Sequence, residues 1–191
     1  MLKSRTLQLA GRDTGRQIVL TELPALQTDR HARRLIASWG GDPAGGVAGL
    51  ALRHQADLAA MGADALEALA PFVRATLPDG SPFDMNDLAD WKNVARIQQA
   101  ALALHVDFLL GRKPVDVPVS MRAEGILAGE SDAQATFCSP FIAAVLQSDK
   151  ASYVELETVL STEDAYNLAE LLNIDAIRQW RDAQTRAKGK P

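Results

Sequence analysis

A single cysteine, Cys138, stands in 191 residues. It excludes an internal disulfide framework and suits a reducing cytosol. Histidine is nearly as scarce. His31, His54 and His105 are widely separated, and no two soft ligands share the short spacing of a zinc site, so a metal would need distant segments to converge. Aromatic residues make up only 5% of the chain, so alanine and leucine must fill the core, which favours helices over sheets. Long apolar runs are missing as well. No stretch approaches a membrane span, and the opening MLKSRTLQL lacks the apolar centre of a signal peptide. The expectation is a cytoplasmic protein with no membrane partner. No fixed-period repeat and no low-complexity tract interrupts the chain.

What is present is long enough for one sizeable core or two small ones. The formal net charge of −4 hides an uneven distribution. Residues 1–34 carry seven Lys/Arg against three Asp/Glu, and 178–191 carry five against one. The stretch between them therefore holds about −12 in formal charge. An acidic body repels nucleic acid, and basic ends are most often solubilising flanks, so the balance argues against a nucleic-acid partner.

The C-terminal part is the most explicit. Ser152-x-x-Glu155 and Ser161-x-x-Asp164 are two capping boxes, in which the serine oxygen takes a free amide of the first turn and the acid returns to the cap. Ser139-Pro140 is a third helix start, with proline where its missing N–H is harmless. The spacing predicts three helices: Pro140–Gln147, Tyr153–Leu160, and Thr162 to about Gln184. On the last, Ala165, Leu168, Leu172, Ala176 and Trp180 form an apolar row that needs a surface to pack on. Core packing is the reading for Leu168, Leu172 and Trp180. Tyr153, Glu155 and Glu157 are then placed on the outer side of the preceding helix, as candidates for contact with a partner.

At the other end, Ser4–Leu9 and Gln17–Leu23 flank a connector with glycine at 11 and 15, which predicts a β-hairpin. A helix from Pro24 to Trp39 follows. Ala32, Leu35, Ile36 and Trp39 form its buried face, and Arg30, Arg33 and Arg34 line the other as the sharpest basic patch. That patch is either a solvated face or a docking point for an acidic partner. An isolated hairpin is marginal, so this one must lie on that helix or on a partner's sheet. Self-association is left open.

The middle predicts a hinge over 40–46, a helix Val47–Met61, and a second helix Ala65–Leu77 that Pro71 kinks or splits. Asp84 or Asn86 opens the longest helix, to about Leu110, with Leu88, Trp91, Ala95, Gln98, Leu102, His105 and Leu109 along one face. The two prolines of 113–119 and the polar stretch to 135 predict a linker or partly ordered loop. The expected organisation is 1–112 as hairpin plus helical body, 113–135 as linker, and 136–191 as a three-helix module with a basic tail. The fold class is α+β, mainly α.

No catalytic set emerges. His54 and His105 fall on apolar faces and read as hydrogen-bonded core histidines. Cys138 reads as a small buried residue before the Ser139 cap. The glycines of 45–49 lack the Lys-Ser/Thr of a phosphate loop. Asp84, Asp87 and Asp90 form a stripe on one surface, whereas acid/base work needs carboxylates converging from facing elements. A binding protein without cofactor or metal is the reading, not an enzyme.

Two segments carry a resemblance. LAGRDTGRQIVLTELPALQTDRHARRLI is similar to the opening of a group of phage and prophage tail assembly chaperones, with Gly11, Arg12, Asp13, Gly15, Thr21, Glu22, Pro24 and Ala25 on the shared pattern. Arg16 stands where lysine is usual and His31 where a larger aromatic is expected. SYVELETVLSTEDAYNLAELLNID resembles the short helical C-terminal segment of the same family. The resemblance implies a protein of the bacterial host cytoplasm that binds the long, helical tape measure protein, keeps it soluble and helps recruit tail tube subunits. It also implies that ribosomal frameshifting sets whether a short or a long form is made. A structural head–tail adaptor and a small nucleic-acid-binding regulator are the alternatives.

Overall fold

The computed structural model describes residues 1–54, 68–113, 115–123 and 135–188. In chain order the elements are β1 (Ser4–Gln8), β2 (Gln17–Thr21), α1 (Ala25–Ser38), α2 (Gly46–His54), β3 (Ala75–Thr76), α3 (Lys92–Leu110), α4 (Val119–Ala123), α5 (Pro140–Gln147), α6 (Tyr153–Thr158) and α7 (Thr162–Lys188). The chain is mainly helical with one small antiparallel sheet, in the order β1-β2-β3.

The expected hairpin forms, with Ser4 opposite Thr21 and Gln8 opposite Gln17. Alternation along β2 sends Ile18 and Leu20 inward, both at 0% exposure. Together with Leu9 they pack on Ile97, Ala100 and Ala101 of α3. The cover that the hairpin needs therefore comes from α3, not from the helix that follows it in sequence. The connector is pinned to the start of the same helix. Asp13, buried, accepts from the amides of Ala89 (3.0 Å) and Asp90 (2.9 Å), from Asn93 Nδ2 (2.9 Å) and from Arg16 Nη1 (3.0 Å). Those donors, the Ala89 amide first, hold its carboxyl down at about 2 against the cost of burial. Gly11, at φ 63°, has no room for a side chain: a Cβ there would lie 1.9 Å from Asp90 Oδ2.

The middle departs from expectation in three places. The helix expected over Ala65–Leu77 starts outside the described residues and does not reach Leu77. The chain turns through a short 3-10 helix at Ala70–Phe72, where Pro71 has no N–H to continue the ladder, and Ala75–Thr76 joins β2 as a third strand. The helix expected from Asp84 or Asn86 begins only at Lys92. Asp84 instead caps a single 3-10 turn, accepting from the Asn86 amide at 2.8 Å. Trp91 therefore sits ahead of the helix at 70% exposure and not in its apolar row. Gln98, Leu102 and His105 are buried as read, joined by Asn93, Ile97, Ala101 and Val106. The longest helix is α7, with 27 residues against 19 for α3. Of the helix expected over Val47–Met61, the part beyond His54 lies outside the described residues, as does the side chain of His54.

The proposed division of the chain cuts through shared cores. Ala25 and Leu26 of α1 lie in one cluster with Ile142 and Val145 of α5, Leu156 of α6, and Ala165 and Ala169 of α7. The other end of α1 gives Ala32, Leu35 and Ile36 to a second cluster with Val47 and Leu50 of α2, Phe72, and Leu102 and Val106 of α3. One helix thus belongs to both halves. Within the expected linker 113–135, the described residues include α4, and Val117 and Met121 are buried against Ile177 of α7 with Trp180 alongside. Residue 114 and residues 124–134 lie outside the described residues. The apolar row on α7 packs as expected, with Leu168 and Leu172 against the first cluster.

Candidate partner-binding surface

Both capping boxes form. Ser152 Oγ accepts from the Glu155 amide at 3.2 Å, and the Glu155 carboxylate returns to the Ser152 amide at 2.8 Å. Ser161 and Asp164 repeat the exchange at 3.0 Å in each direction. These caps fix α6 as a short helix lying across the start of α1. Leu160 carbonyl accepts from the Ala25 amide at 2.8 Å, and Glu157 carbonyl accepts from Gln27 Nε2 at 3.0 Å.

Three of the nominated residues meet on this seam. Arg30 Nη1 donates to Glu157 Oε1 at 2.9 Å, while its Nη2 donates to the Tyr153 hydroxyl and the guanidinium lies 5.9 Å from the Tyr153 ring centre. Glu157 therefore faces α1 and not the outer side of its helix, because the arginine on α1 neutralises it there. Glu155 is exposed, yet its carboxylate is committed to the Ser152 cap, and those bonds hold it below its ordinary range. Tyr153 remains 47% exposed, and Val154 beside it in the chain and Val159 at the far end of the helix are 66% and 53% exposed. Phe137 is also half exposed, 6.5 Å from the Tyr153 ring. Arg33 donates to the Thr136 carbonyl at 3.1 Å, and Arg34 is exposed. Arg33, Arg34, Thr136 and Phe137 line an open cleft of about 430 Å³ beside this seam. Exposed Phe137 and Tyr153 thus lie together, edged by arginines, with exposed Val154 following Tyr153 in the chain. Isolated apolar residues on a surface are ordinary, but a contiguous group rimmed by charge suits a protein partner.

Behind the cleft lies a group that the sequence reading did not nominate. Asp29 is 0% exposed, and its Oδ2 accepts from the Ser139 amide at 2.8 Å. Its other oxygen lies against Gly46, where a Cβ would come within 2.7 Å. Burial raises its carboxyl pKa, opposed by hydrogen bonding from Ser139 and by Arg33 and Arg30. The Tyr166 hydroxyl, on α7, is pushed upward chiefly by burial and then by the Asp29 charge. One carboxylate thus ties α1 to the start of α5 and lies against the start of α2. Its position gives the signal, since 29 falls three residues after Leu26 and three before Ala32, on an apolar face.

The other candidate groups are structural. His105 is fully buried, with Nδ1 2.6 Å from the Ala101 carbonyl and Nε2 2.9 Å from the Leu23 amide. Cys138 is buried, which pushes its thiol up to about 11, far from a nucleophile's range. Asp90 accepts from the Lys92 amide at 3.2 Å, a helix-start role like that of Asp84. Among the described residues, no group of His, Cys, Asp and Glu could hold a metal ion, and no helix is long and apolar enough to cross a membrane.

No protein-family model, no curated protein and no solved structure matches the chain.

Proposed function

We propose that the chain is a phage tail assembly chaperone, which binds the tape measure protein, keeps it soluble in the host cytoplasm and helps bring tail tube subunits to it. The observation that carries this reading is the meeting of the two segments that bear the resemblance. They lie at opposite ends of the sequence and pack on each other. Ala25 bonds to Leu160, Gln27 to the Glu157 carbonyl, and Arg30 to Glu157 and Tyr153. A pattern scattered over one fold region is better support for a shared architecture than two unrelated short matches.

The surface described above suits such a role. A tape measure protein presents long apolar helical stripes, and exposed Phe137, Tyr153 and Val154 offer a small apolar ledge for a stripe to lie on. The contact is small enough to release, and the acidic body helps keep the complex in solution. No step of this role needs a cofactor or a catalytic group.

Co-expression with a tape measure protein from the same genome tests the proposal. The expected outcome is a rise in soluble tape measure protein and co-purification of the two. A Phe137→Asp/Val154→Asp double variant, folded by circular dichroism, is expected to lose both effects. The reading fails if the tape measure protein stays insoluble and the chain is found in mature virions, which is the behaviour of an adaptor.

A further inference from the structure

We infer that two copies of this chain pair through the free edge of β1, forming a continuous six-stranded sheet with a two-fold axis at Thr6. The register of the hairpin decides which groups are available. Leu9 amide bonds to Arg16 carbonyl at 3.0 Å, and Glu22 amide to Lys3 carbonyl at 2.8 Å. With Arg5 opposite Leu20 and Leu7 opposite Ile18, the odd-numbered residues of β1 turn their backbone groups toward β2. The N–H and C=O of Ser4, Thr6 and Gln8 point the other way, where no strand pairs with them among the described residues. Ser4, Arg5, Thr6 and Gln8 are all exposed. The edge contains no proline and no bulge, two of the devices that block strand addition. The opposite edge differs: β3 has two residues, and Thr76 bridges to Pro82 beyond it.

A second copy fits this edge better than an arbitrary strand because the edge is complementary to itself. Antiparallel pairing about Thr6 places Ser4 opposite Gln8 of the other copy and Arg5 opposite Leu7, so the two Arg5 charges are offset along the seam. Thr6 faces Thr6 at the axis, a favourable cross-strand pair.

The helix layer obeys the same symmetry. Arg96, Gln99, Ala100, Ala103 and Asp107 recur at helical spacing on α3 and line a groove beside Arg5 and Leu7. The start of α3 is tied to the hairpin turn, where Asn93 bonds Ala10 in both directions at 3.0 and 3.1 Å. Its far end lies under the start of β1, where Lys3 Nζ sits 5.4 Å from the Phe108 ring centre. The helix therefore runs opposite to β1, and a two-fold axis at Thr6 sets the two α3 helices antiparallel on one face of the joined sheet. Because α3 covers both β1 and β2, a strand spacing of about 4.8 Å puts the two helix axes about 10 Å apart, an ordinary packing distance. Arg96 of each copy then comes beside the Asp107 end of the other. Ala100 and Ala103, small enough for close approach, meet in the centre. Backbone edge, helix spacing and charge are thus all satisfied by one operation.

The test is the mass of the full chain by light scattering across a dilution series, expected at twice 20.5 kDa. The Thr6 N–H points away from β2, so Thr6→Pro breaks no bond within the chain and is expected to give a folded monomer. Thr6→Cys is expected to form an intermolecular disulfide on mild oxidation, against a quiet background because Cys138 is buried. Ser4→Cys, displaced from the axis, is expected not to cross-link with itself. Asp107→Arg is expected to weaken the dimer, and Arg96→Asp in the same chain to restore it. A monomer at all concentrations overturns the inference, including one that instead binds a strand of another protein at this edge. So does a dimer that survives Thr6→Pro, or Ser4→Cys cross-linking as readily as Thr6→Cys.

Discussion

His105 is expected to make the fold acid-sensitive in a window where few groups titrate. Its two ring nitrogens are both used, Nδ1 donating to the Ala101 carbonyl and Nε2 accepting from the Leu23 amide. Only the neutral ring can do this, since protonation turns Nε2 into a second donor facing an N–H. The ring is also fully buried, with Phe72 edge-on at 5.6 Å between centres. Burial is the main reason that its pKa falls from 6.5 to about 4. A base with a depressed folded pKa contributes stability that is complete above the unfolded value and is lost as the pH falls toward the folded one. Each unit below 6.5 therefore removes about 1.4 kcal/mol, or about 3 kcal/mol by pH 4. That is a large share of the roughly 5–15 kcal/mol available to a domain.

Two buried carboxylates act in the opposite sense. Glu22 and Asp29 have pKa values raised chiefly by burial, so acidification relieves them. The measurement must therefore be a difference. Urea unfolding of the natural chain and of His105→Gln, which keeps one donor and one acceptor, is compared from pH 7 to pH 4.5. The natural chain is expected to lose stability relative to the variant below pH 6.5, by about 2.7 kcal/mol over two units. Parallel curves would refute the reasoning, as would an NMR titration that puts the His105 ring near 6.5.

Two further substitutions probe the rest of the core. Leu156→Ala, at a fully buried site in α6, is expected to lower stability by about 3–5 kcal/mol, whereas half-buried Leu168→Ala is expected near the bottom of the range, about 2 kcal/mol. Denaturant titration separates the two, and equal losses would contradict this placement of α6. Asp13→Ala is expected to release the hairpin turn from α3, because it strands the donors at Ala89, Asp90 and Asn93. Amide exchange at 89 and 90 is the readout, with faster exchange expected there and little change along α7. The carboxylate's stabilisation is present above about pH 4 and fades as the pH falls toward 2, since its folded pKa is the lower one.

Legibility followed the range of the interactions. The caps at Ser152 and Ser161 are exchanges within four residues, so spacing alone revealed them. The hairpin and the apolar row of α7 are likewise periodic. What escaped was decided by contacts distant in sequence. Ala75 and Thr76 are a strand only because β2 lies alongside with an open edge. Lys92 is the start of α3 because Asp13, seventy-six residues before Ala89, takes the amides just ahead of it. The nominated surface was legible in part for the same reason. Arg34 is exposed, but α6 packs against α1, so Tyr153 and Glu157 both meet Arg30 and Arg33 is taken by the Thr136 carbonyl.

The motif residues and the exposed residues divide the work of this surface. Gly11 and Asp13 lock a turn, Ser152, Glu155, Ser161 and Asp164 hold helix starts, and Pro24 ends the strand side of α1. Each is engaged within the chain, so none is available to read a partner through the group that makes it recognisable. The groups left facing outward are Phe137, Val154, Val159 and Arg34, none of which holds a cap or a turn through its side chain. On the proposed reading, the recognisable pattern secures the architecture while these neighbours choose the client. It follows that exchanging the four outward residues should redirect binding without loss of fold. Exchanging Asp13 or Gly11 should instead damage the fold first and binding only as a consequence. Measuring melting temperature and client capture on the same two sets of variants distinguishes these outcomes, and binding lost through Asp13 at an unchanged melting temperature would reverse the assignment.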